Sequence, residues 1–265
     1  MTTLYSIGTY EFDGEKFKKT SRHEKELGNK LISSSQLKGN EAILDLGCDD
    51  GILTKQLSLL VPNGYVLGID ASVGMIEKAE QNVHDNLKFR HMDINEMDFD
   101  NDFDVIFSNA ALHWVKDHNK LLRNTYTALK QSGITVWNFA GDGNCETFYG
   151  VMRKKIKDDR YKEYFADFEW PWFMPSKAEY ETLTENMGFS EVAITEKNVD
   201  RYFANADEMI RWIDQPSLVP FMQCVPDEVK KEFRDEVVEE MLSKALQPDG
   251  TCFETFRRIN VRLVK

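Results

Sequence analysis

Residues 42–70 constrain the fold of this chain more than any other stretch. Two short apolar runs, Ala42–Leu46 and Tyr65–Ile69, flank a glycine turn and a helix-like segment. Short, continuously apolar runs are typical of buried parallel strands. The turn reads Asp45-Leu-Gly-Cys-Asp-Asp-Gly51, and Asp70 follows the second run. The stretch therefore predicts half of a βαβ unit of the kind that binds nucleotides.

Further apolar runs continue along the chain, at Leu87–His91, Phe103–Ser108 and Ile134–Phe139. Segments with helical character precede or separate most of these runs, at 21–37, 52–60, 72–83 and 118–129. Strands that alternate with helices indicate a doubly wound, mostly parallel sheet of the α/β class. Ligands bind such sheets beyond the carboxyl ends of the strands, so the residues that follow each run are candidates for a site.

The pattern changes after Phe139, and this change divides the chain into regions. We expect an N-terminal arm or lid at 1–24, an α/β core at 25–140, a helical cap or insertion at 141–250 and a C-terminal strand at 251–265 that completes the sheet. Helices are expected in the insertion at 145–165, 176–187, 207–214 and 226–246, with a strand near 192–199. The final run, Cys252–Val264, is expected to be an edge strand or an antiparallel strand.

Composition limits the classes of partner. The net charge is −12, whereas a nucleic-acid surface needs clustered Lys and Arg, so we expect no nucleic-acid partner. No apolar run is long enough to span a bilayer and the N-terminus lacks a secretory pattern, so we expect a cytoplasmic protein with no membrane partner. The four cysteines lie too far apart for a metal or redox motif, which predicts reduced thiols and no metal.

The turn after the first strand has features of a ligand-binding turn. Gly47 and Gly51 allow the backbone to turn sharply and a ligand to approach closely, and the next helix offers free N–H groups. A dinucleotide fingerprint requires a third glycine that this turn lacks, which disfavours a nicotinamide-dependent dehydrogenase. A tight strand-to-helix turn that binds no ligand is the alternative.

Acidic residues at two later strand ends extend this pattern. Asp70 ends the second strand, where a carboxylate can accept hydrogen bonds from both hydroxyls of a ribose. The alternative is that Asp70 caps the helix that starts near Ser72. Met92 and Asp93 follow the third strand and could contact an adenine, with the carboxylate accepting from the amino group and the thioether packing on the ring. The alternative for Asp93 is an acid in a solvated loop.

Together these motifs resemble the class I S-adenosylmethionine-dependent methyltransferases. Residues 44–54 resemble the first motif of that family, Gly68–Ala79 the second, and Phe103–Trp114 the fourth-strand motif. The resemblance covers residues 25–140. It implies a Rossmann-like sheet of seven strands whose last strand is antiparallel, which fits the run at Cys252–Val264.

The resemblance also implies S-adenosylmethionine as the cofactor and S-adenosylhomocysteine as the product. The implied cofactor site combines the glycine turn with the ends of the second, third and fourth strands: Asp45, Gly47, Cys48, Asp49, Gly51, Asp70, Ala71, Met75, Met92, Asp93, Ile94 and Asn109. Asp49 departs from the family, which usually has glycine at that position. Its carboxylate could contact the cationic part of the cofactor or weaken cofactor binding.

The segment Ser108–Trp114 bears on the class of acceptor. It lacks the Asn/Asp-Pro-Pro-aromatic motif common in enzymes that methylate nucleobase amino groups, and it resembles trans-aconitate methyltransferase and related small-molecule carboxyl methyltransferases. We therefore expect O-methylation of a carboxylate on a small, acidic molecule, by a monomer or a homodimer. The alternatives are a hydroxyl or amine acceptor, and a degenerate protein that keeps the fold and binds the cofactor without catalysis.

The type of acceptor decides whether a base is needed. A carboxylate is already ionised near neutral pH and needs no base, whereas a base helps a hydroxyl or amine to react. His113 is the candidate catalytic base, with a packing role beside Trp114 as the alternative. Trp114, Trp212 and Arg257 are the candidate substrate-binding residues, because aromatic rings can wall a pocket and Arg can hold a carboxylate.

Overall fold

A seven-stranded sheet organises the computed structural model, which describes residues 22–265. Residues 1–21, which make up most of the arm expected at 1–24, lie outside the described residues. The strands of the described part are β1 (Ala42–Leu46), β2 (Tyr65–Asp70), β3 (Leu87–His91), β4 (Phe103–Asn109), β5 (Leu129–Ala140), β6 (Glu191–Asn198), β7 (Arg201–Phe203), β8 (Cys252–Glu254) and β9 (Arg257–Val264). The large sheet has the order β3-β2-β1-β4-β5-β9-β6, and β7 pairs with β8.

The strand pairing confirms a doubly wound, mostly parallel sheet. β1 is parallel to both β2 and β4, β2 is parallel to β3, and β4 is parallel to β5. The chain therefore builds outward from β1 to β3 on one side, and then from β4 outward on the other. Ligands of such sheets bind at the point where the strand order reverses, which here lies between β1 and β4.

Alternate residues of the central strands pack into hydrophobic clusters on opposite faces of the sheet. Leu44, Ile106 and Trp137 lie in one cluster, whereas Ile43 and Val105 lie in the other. All five residues are buried, and the largest exposed fraction among them is 4%, at Val105. Burial on both faces explains why the strands are continuously apolar in sequence.

β9 is antiparallel to β5, as the family resemblance implies, with Phe139 opposite Ile259. It lies between β5 and β6, so β6 forms the edge of the sheet on that side. Of the two alternatives for the final run, the antiparallel strand is therefore the one observed. The strand expected near 192–199, within the insertion, is this edge strand.

The run expected as one strand at 252–264 divides into β8 and β9. The two residues between them bond to loops instead of to a neighbouring strand. The carbonyl of Thr255 accepts from the N–H of Cys145 at 2.8 Å, and that of Phe256 accepts from Val199 at 2.7 Å. These hydrogen bonds replace ladder pairing at the break.

The helices of the described part are α1 (Arg22–Ser34), α2 (Ile52–Leu60), α3 (Val73–Ala79), α4 (His118–Ala128), α5 (Glu146–Lys155), α6 (Lys177–Thr184), α7 (Ala206–Trp212), α8 (Val219–Met222) and α9 (Asp227–Ala245). α5 ends ten residues before the expected Phe165. A turn follows it, in which the carboxylate of Asp158 accepts from the N–H of Arg160 at 3.0 Å. Such side-chain hydrogen bonds favour turns over helix.

The described residues divide into two units. The first contains nearly all of the large sheet and consists of residues up to Asp142, Trp172–Lys197 and Arg258–Lys265. The second consists of Gly143–Pro171 and Asn198–Arg257 and has an aromatic core that includes Phe148, Phe221 and Phe233. Across the described residues, no helix combines the length and apolarity needed to cross a bilayer.

Candidate active site

The turn between β1 and α2 requires glycine at two positions. Gly47 has φ +71° and Gly51 has φ +75°, in the left-handed region that side chains disfavour. A Cβ atom on Gly47 would also lie 2.2 Å from the Cβ of Ala111, which follows β4. The segments that follow β1 and β4 therefore lie side by side, at the edge where the sheet order reverses.

Asp70 stabilises both the glycine turn and the next helix. Its Oδ2 accepts from the backbone N–H of Asp49 at 3.1 Å, and its Oδ1 accepts from the N–H of Ser72 at 2.9 Å. The N-cap of α3 is Ser72, whose hydroxyl accepts from the N–H of Met75 at 3.3 Å. Each carboxylate oxygen has two acceptor directions, so Asp70 can support the turn and still accept hydrogen bonds from a ligand.

Asp49 and Cys48 form the middle of the turn. Asp49 has φ +49°, a left-handed conformation that Asp adopts more readily than most residues, so an aspartate can occupy the position where the family usually has glycine. Burial raises the pKa of the Cys48 thiol, and the charges of Asp70, Asp45 and Asp49 add to the shift. The thiol is therefore neutral at physiological pH and contributes packing.

Asp45 lies beneath the turn. It has an exposed fraction of 2%, and its Oδ2 accepts from the Thr54 hydroxyl at 2.7 Å. Burial raises the pKa of Asp45 to about 7, with a further increase from the charge of Asp70 and an opposing effect of the Thr54 hydrogen bond. Asp45 therefore titrates near neutral pH, unlike an ordinary aspartate.

A pocket opens where β1 and β4 end. Residues of α1, the glycine turn, α2 and β4 line it: Lys25, Asp45, Gly47, Cys48, Asp49, Asp50, Leu53, Phe107 and Asn109. Lys25 Nζ forms an ion pair with Asp50 at 2.7 Å and so connects α1 to the turn. The sequence patterns miss Lys25, because only the packing of α1 brings it to this edge. The available sequence signal was Gly28, a glycine inside a predicted helix. A Cβ at Gly28 would lie 2.3 Å from Leu53 Cδ1, so glycine allows α1 to pack closely on α2.

The ends of β2 and β3 meet at the same edge of the sheet. The N–H of Met92 donates to the carbonyl of Asp70 at 3.0 Å. Asp93 accepts from the backbone N–H and the side-chain amide of Asn95, at 2.8 and 2.9 Å, and caps a short 3-10 turn over Ile94–Glu96. The structure thus gives Asp93 a local capping role at this edge of the sheet, and the contact of Met92 and Asp93 with an adenine stays a prediction.

The remaining expected cofactor residues of this region differ in exposure. The carbonyl oxygen of Ala71 lies 2.9 Å from His91 Nε2, and Ala71 is half-buried. Met75 and Ile94 are buried, with exposed fractions of 1% and 8%. Their side chains pack in the interior, so their backbone groups are the parts that a ligand at this edge could contact.

Asn109 is the last residue of β4, and a strained residue follows it. Asn109 is buried, with an exposed fraction of 5%, and lines the pocket. Ala110 has φ +58°, and its N–H donates to the carbonyl of Asn138 at 2.7 Å. A non-glycine residue in this conformation costs free energy and is found most often where function constrains the backbone.

His113 lies in the 3-10 turn Leu112–Trp114 that follows. Its Nδ1 is buried and has no hydrogen-bond partner among the described residues. Burial lowers the pKa of His113 to about 3, and the nearby Arg258 and His118 lower it further. The imidazole is therefore neutral at physiological pH and a weak base.

Trp114 is half-buried and belongs to an aromatic cluster. Its ring centroid lies 5.7 Å from that of His113 and 5.3 Å from that of Trp172. The N–H of Phe173 donates to the carbonyl of His113 at 2.8 Å, which ties the segment after Trp172 to this turn. Trp114 therefore packs next to His113, and its role as a wall of the acceptor pocket stays a prediction.

The other two expected substrate residues belong to the second unit. Trp212 has an exposed fraction of 4%, and its ring packs against Phe203 and Phe256 at 5.4 and 5.6 Å. Arg257 donates from its backbone N–H to Asn144 and from Nη1 to Asn198, at 3.1 and 2.9 Å. These contacts give both residues structural roles within that unit.

The part of the chain that the structure describes contains no candidate metal site. No group of three or more His, Cys, Asp or Glu side chains within residues 22–265 is arranged to hold a metal ion.

A family model described as a methyltransferase domain matches residues 37–207. A trans-aconitate 2-methyltransferase of Mycobacterium tuberculosis is 28% identical over 234 residues, which cover 86% of this chain and 87% of that protein. The enzyme of the same name from Deinococcus radiodurans is 28% identical over 185 residues, 68% of this chain and 70% of that protein. A methyltransferase of Schizosaccharomyces pombe is 28% identical over 236 residues, 86% and 88% of the two chains.

Solved structures show the same fold. Phosphoethanolamine N-methyltransferase 2 of Haemonchus contortus, in complex with phosphomonomethylethanolamine and S-adenosylhomocysteine, has a TM-score of 0.60 at 18% identity and covers 95% of this chain and 57% of that one. Geranyl diphosphate C-methyltransferase of Streptomyces coelicolor has a TM-score of 0.55 at 14% identity, covering 98% and 86%. The matched domain, the sheet order and the glycine turn agree: this chain belongs to the methyltransferase domain family and is an S-adenosylmethionine-dependent methyltransferase.

Proposed function

We propose that the protein methylates a carboxylate oxygen of a small acidic molecule. The observation that carries this proposal is the buried position of His113, the base candidate in the loop after β4, which lowers the basicity of its imidazole. An imidazole whose pKa is lowered to about 3 is too weak a base to activate a hydroxyl or an ammonium group near pH 7. A carboxylate acceptor needs no such activation. The two relatives named trans-aconitate 2-methyltransferase support an acid as the acceptor.

The chain's own contribution to this reaction is alignment and exclusion of water. When bound, the cofactor would supply an electrophilic methyl group: the acceptor oxygen would use a lone pair to bond to the methyl carbon, the carbon–sulfur bond would break, and its electron pair would stay on the sulfur that leaves. The products are a methyl ester and S-adenosylhomocysteine, and no proton leaves the acceptor. Good alignment can be worth effective molarities on the order of 10⁵ M or more. Residues that fix the acceptor therefore matter more than a base.

The cofactor roles expected for the strand ends are part of this proposal. Asp70 ends β2 at the edge of the sheet and accepts hydrogen bonds from the N–H groups of Asp49 and Ser72, and a carboxylate at such a strand end can accept from the hydroxyls of a ribose. Gly47 has no side chain, which lets the turn pack directly against Ala111 beside the pocket. Met92 and Asp93 are the candidates for the adenine, and Asn109 lines the pocket between the turn and the β4 loop.

The experiment is methyl transfer from methyl-labelled S-adenosylmethionine to a panel of acids: trans-aconitate, cis-aconitate, citrate and succinate. We expect a labelled methyl ester, which mild alkali hydrolyses with release of labelled methanol. An alkali-stable labelled product, formed with a hydroxyl or amine compound, would contradict the carboxylate assignment.

A His113→Gln variant provides the second part of this test. Because His113 is not expected to act as a base, kcat with a carboxylate acceptor should stay within about tenfold of that of the wild-type enzyme. Loss of a general base would instead lower kcat by roughly 10²- to 10⁴-fold. Circular dichroism of the variant serves as the folding control.

A further inference from the structure

A row of amide side chains crosses three strands of the sheet near the carboxyl ends of β4 and β5. Asn109 of β4 lies in register with Asn138 of β5, and Asn138 lies opposite Asn260 of β9. Directly paired residues project their side chains from the same face of a sheet. The three amides therefore share one face, and Asn138 Nδ2 donates to Asn260 Oδ1 at 2.7 Å.

Arg258 extends this row. It lies two residues before Asn260 in β9 and opposite Ala140, so it shares the face of the three amides. It is a diagonal neighbour of Asn138, a separation that a long side chain can bridge. Its exposed fraction is 4%, so the structure brings a buried guanidinium to the carboxyl-terminal edge of the sheet.

Unsatisfied buried polar atoms lie in and beside this row. Asn138 Oδ1 and His113 Nδ1 have no hydrogen-bond partner among the residues that the structure describes. Asn138 has an exposed fraction of 6%, and its carbonyl accepts from the N–H of Ala110 at 2.7 Å, which ties it to the His113 loop. Ala110 lies three residues before His113, so this hydrogen bond holds the start of the His113 loop against β5. The charge of Arg258 also contributes to the lowered pKa of His113. Buried polar groups without a partner are rare and indicate a missing ligand or water.

The chemistry of this group suits an anion. If the amides of Asn138 and Asn260 both rotate by half a turn at χ2, Asn260 Nδ2 donates to Asn138 Oδ1 and the hydrogen bond between them is kept. Asn138 Nδ2–H then points to the side that now lacks a partner. A neutral imidazole can carry its proton on Nδ1 and donate from it. The guanidinium of Arg258 adds a planar fork of donors. Together, Arg258, Asn138 and His113 can donate hydrogen bonds to both oxygens of a carboxylate.

We propose that Arg258, Asn138 and His113 bind a carboxylate of the acceptor other than the one that is methylated. This proposal rests on the carboxylate acceptor proposed above. An oxygen held by several charge-assisted hydrogen bonds is a poor nucleophile, because its lone pairs are engaged. The acceptor must then carry at least two carboxylates: one anchored on the row, and one free to attack the methyl carbon. The substrate class is a dicarboxylic or tricarboxylic acid.

The test is calorimetric titration of the protein saturated with S-adenosylhomocysteine. The probes are trans-aconitate, tricarballylate and succinate, with the monocarboxylate crotonate for comparison. We expect at least one polyacid to bind more than tenfold tighter than crotonate. Arg258→Gln should weaken binding of that polyacid tenfold or more, while the affinity for S-adenosylhomocysteine stays within twofold.

Arg262→Gln is the matched control. Arg262 lies on the same strand and the same face, but its side chain is 51% exposed and pairs with Glu191 at 3.6 Å, away from the amide row. This variant should bind the polyacid and S-adenosylhomocysteine as the wild-type protein does. If Arg258→Gln does not fold, Arg258→Lys keeps the charge and loses the fork, and Asn138→Asp repels the anion; each should weaken the polyacid selectively.

The outcomes separate this inference from the proposed function. Unchanged polyacid affinity in folded Arg258 and Asn138 variants, or an equal loss of polyacid and S-adenosylhomocysteine affinity, would overturn the anchor. So would crotonate binding as tight as that of every polyacid. If the enzyme still forms an alkali-labile methyl ester in those cases, the carboxylate function stands and the anchor alone is wrong. Failure of wild-type protein to form any such ester would instead count against the function.

Discussion

At the scale of single residues, Asp70 combines a structural role with a proposed ligand contact. We predict that Asp70→Asn weakens S-adenosylmethionine binding by about 10- to 100-fold, the range expected for hydrogen bonds to a charged group. The amide keeps one oxygen and places its NH2 group against the N–H of either Asp49 or Ser72. Calorimetric titration measures the effect. Asp85→Asn, at an exposed position, is the control. Unchanged affinity in a folded Asp70 variant would limit Asp70 to supporting the turn and the helix.

Asp45 makes a prediction about stability and pH. Its pKa is about 7 in the folded protein and 3.8 in a free side chain, so between these values the folded state holds a proton that the unfolded chain releases. The contribution of Asp45 to the free energy of unfolding is therefore fully present below about pH 4, falls as the pH rises towards 7, and is constant above that.

Asp45→Asn removes this dependence while keeping an oxygen for the Thr54 hydroxyl. From pH 4.5 to pH 8, we expect the free energy of unfolding of the variant to rise relative to wild type by roughly 1–4 kcal/mol. Urea unfolding at both pH values measures the difference. Parallel pH profiles of the two proteins would show that Asp45 ionises in the folded state as it does in the unfolded chain.

At the scale of elements, the first turn of α5 depends on a residue more than 100 positions away in the sequence. Glu254 has an exposed fraction of 0% and accepts from the N–H groups of Thr147, Phe148 and Thr255, at 3.3, 3.0 and 2.9 Å. The N-cap residue, Cys145, makes no side-chain capping hydrogen bond. Glu254 thus satisfies N–H groups that a helix N-terminus leaves without partners.

We predict that Glu254→Gln lowers the free energy of unfolding by about 1–3 kcal/mol, because the amide turns an N–H group toward backbone donors. Urea denaturation provides the measurement. Glu239→Gln, at an exposed position of α9, should change the free energy by less than about 0.5 kcal/mol. Equal stability of the two variants would mean that water or another group can replace the carboxylate.

At the scale of the whole molecule, the net charge of −12 opposes the approach of an acidic substrate. Salt screens this long-range repulsion, with a Debye length of about 10 Å at 0.1 M, while contacts at a buried guanidinium are screened much less. We predict that kcat/KM for a polycarboxylate rises roughly two- to tenfold as KCl increases from about 10 to about 100 mM. S-adenosylmethionine carries a net positive charge and should show the opposite trend. A fall in kcat/KM for the acid would indicate a local positive field that outweighs the net charge.

The elements that could be predicted from sequence are those with local causes. The runs at Ala42–Leu46 and Tyr65–Ile69 are strands because several consecutive residues are apolar, and Gly47 is required because one φ angle is positive. The break between β8 and β9 was not predictable, because the distant loop partners of Thr255 and Phe256 decide it. The end of α5 was missed although the hydrogen bond from Arg160 to Asp158 that favours the turn is local.

The sequence by itself determined the family, the doubly wound sheet, the cofactor and the strand ends where a site would form. The sheet and the strand ends follow from periodicity and turn chemistry within short segments, whereas the family and the cofactor follow from the resemblance of the motifs at 44–54, 68–79 and 103–114. Tertiary structure alone brought Lys25 to Asp50, placed Asn138 opposite Asn260 with Arg258 as its diagonal neighbour, lowered the pKa of His113 and raised that of Asp45. Each of these results depends on the register of distant strands or on burial by residues far away in the chain, because neither register nor dielectric environment is a property of a short segment.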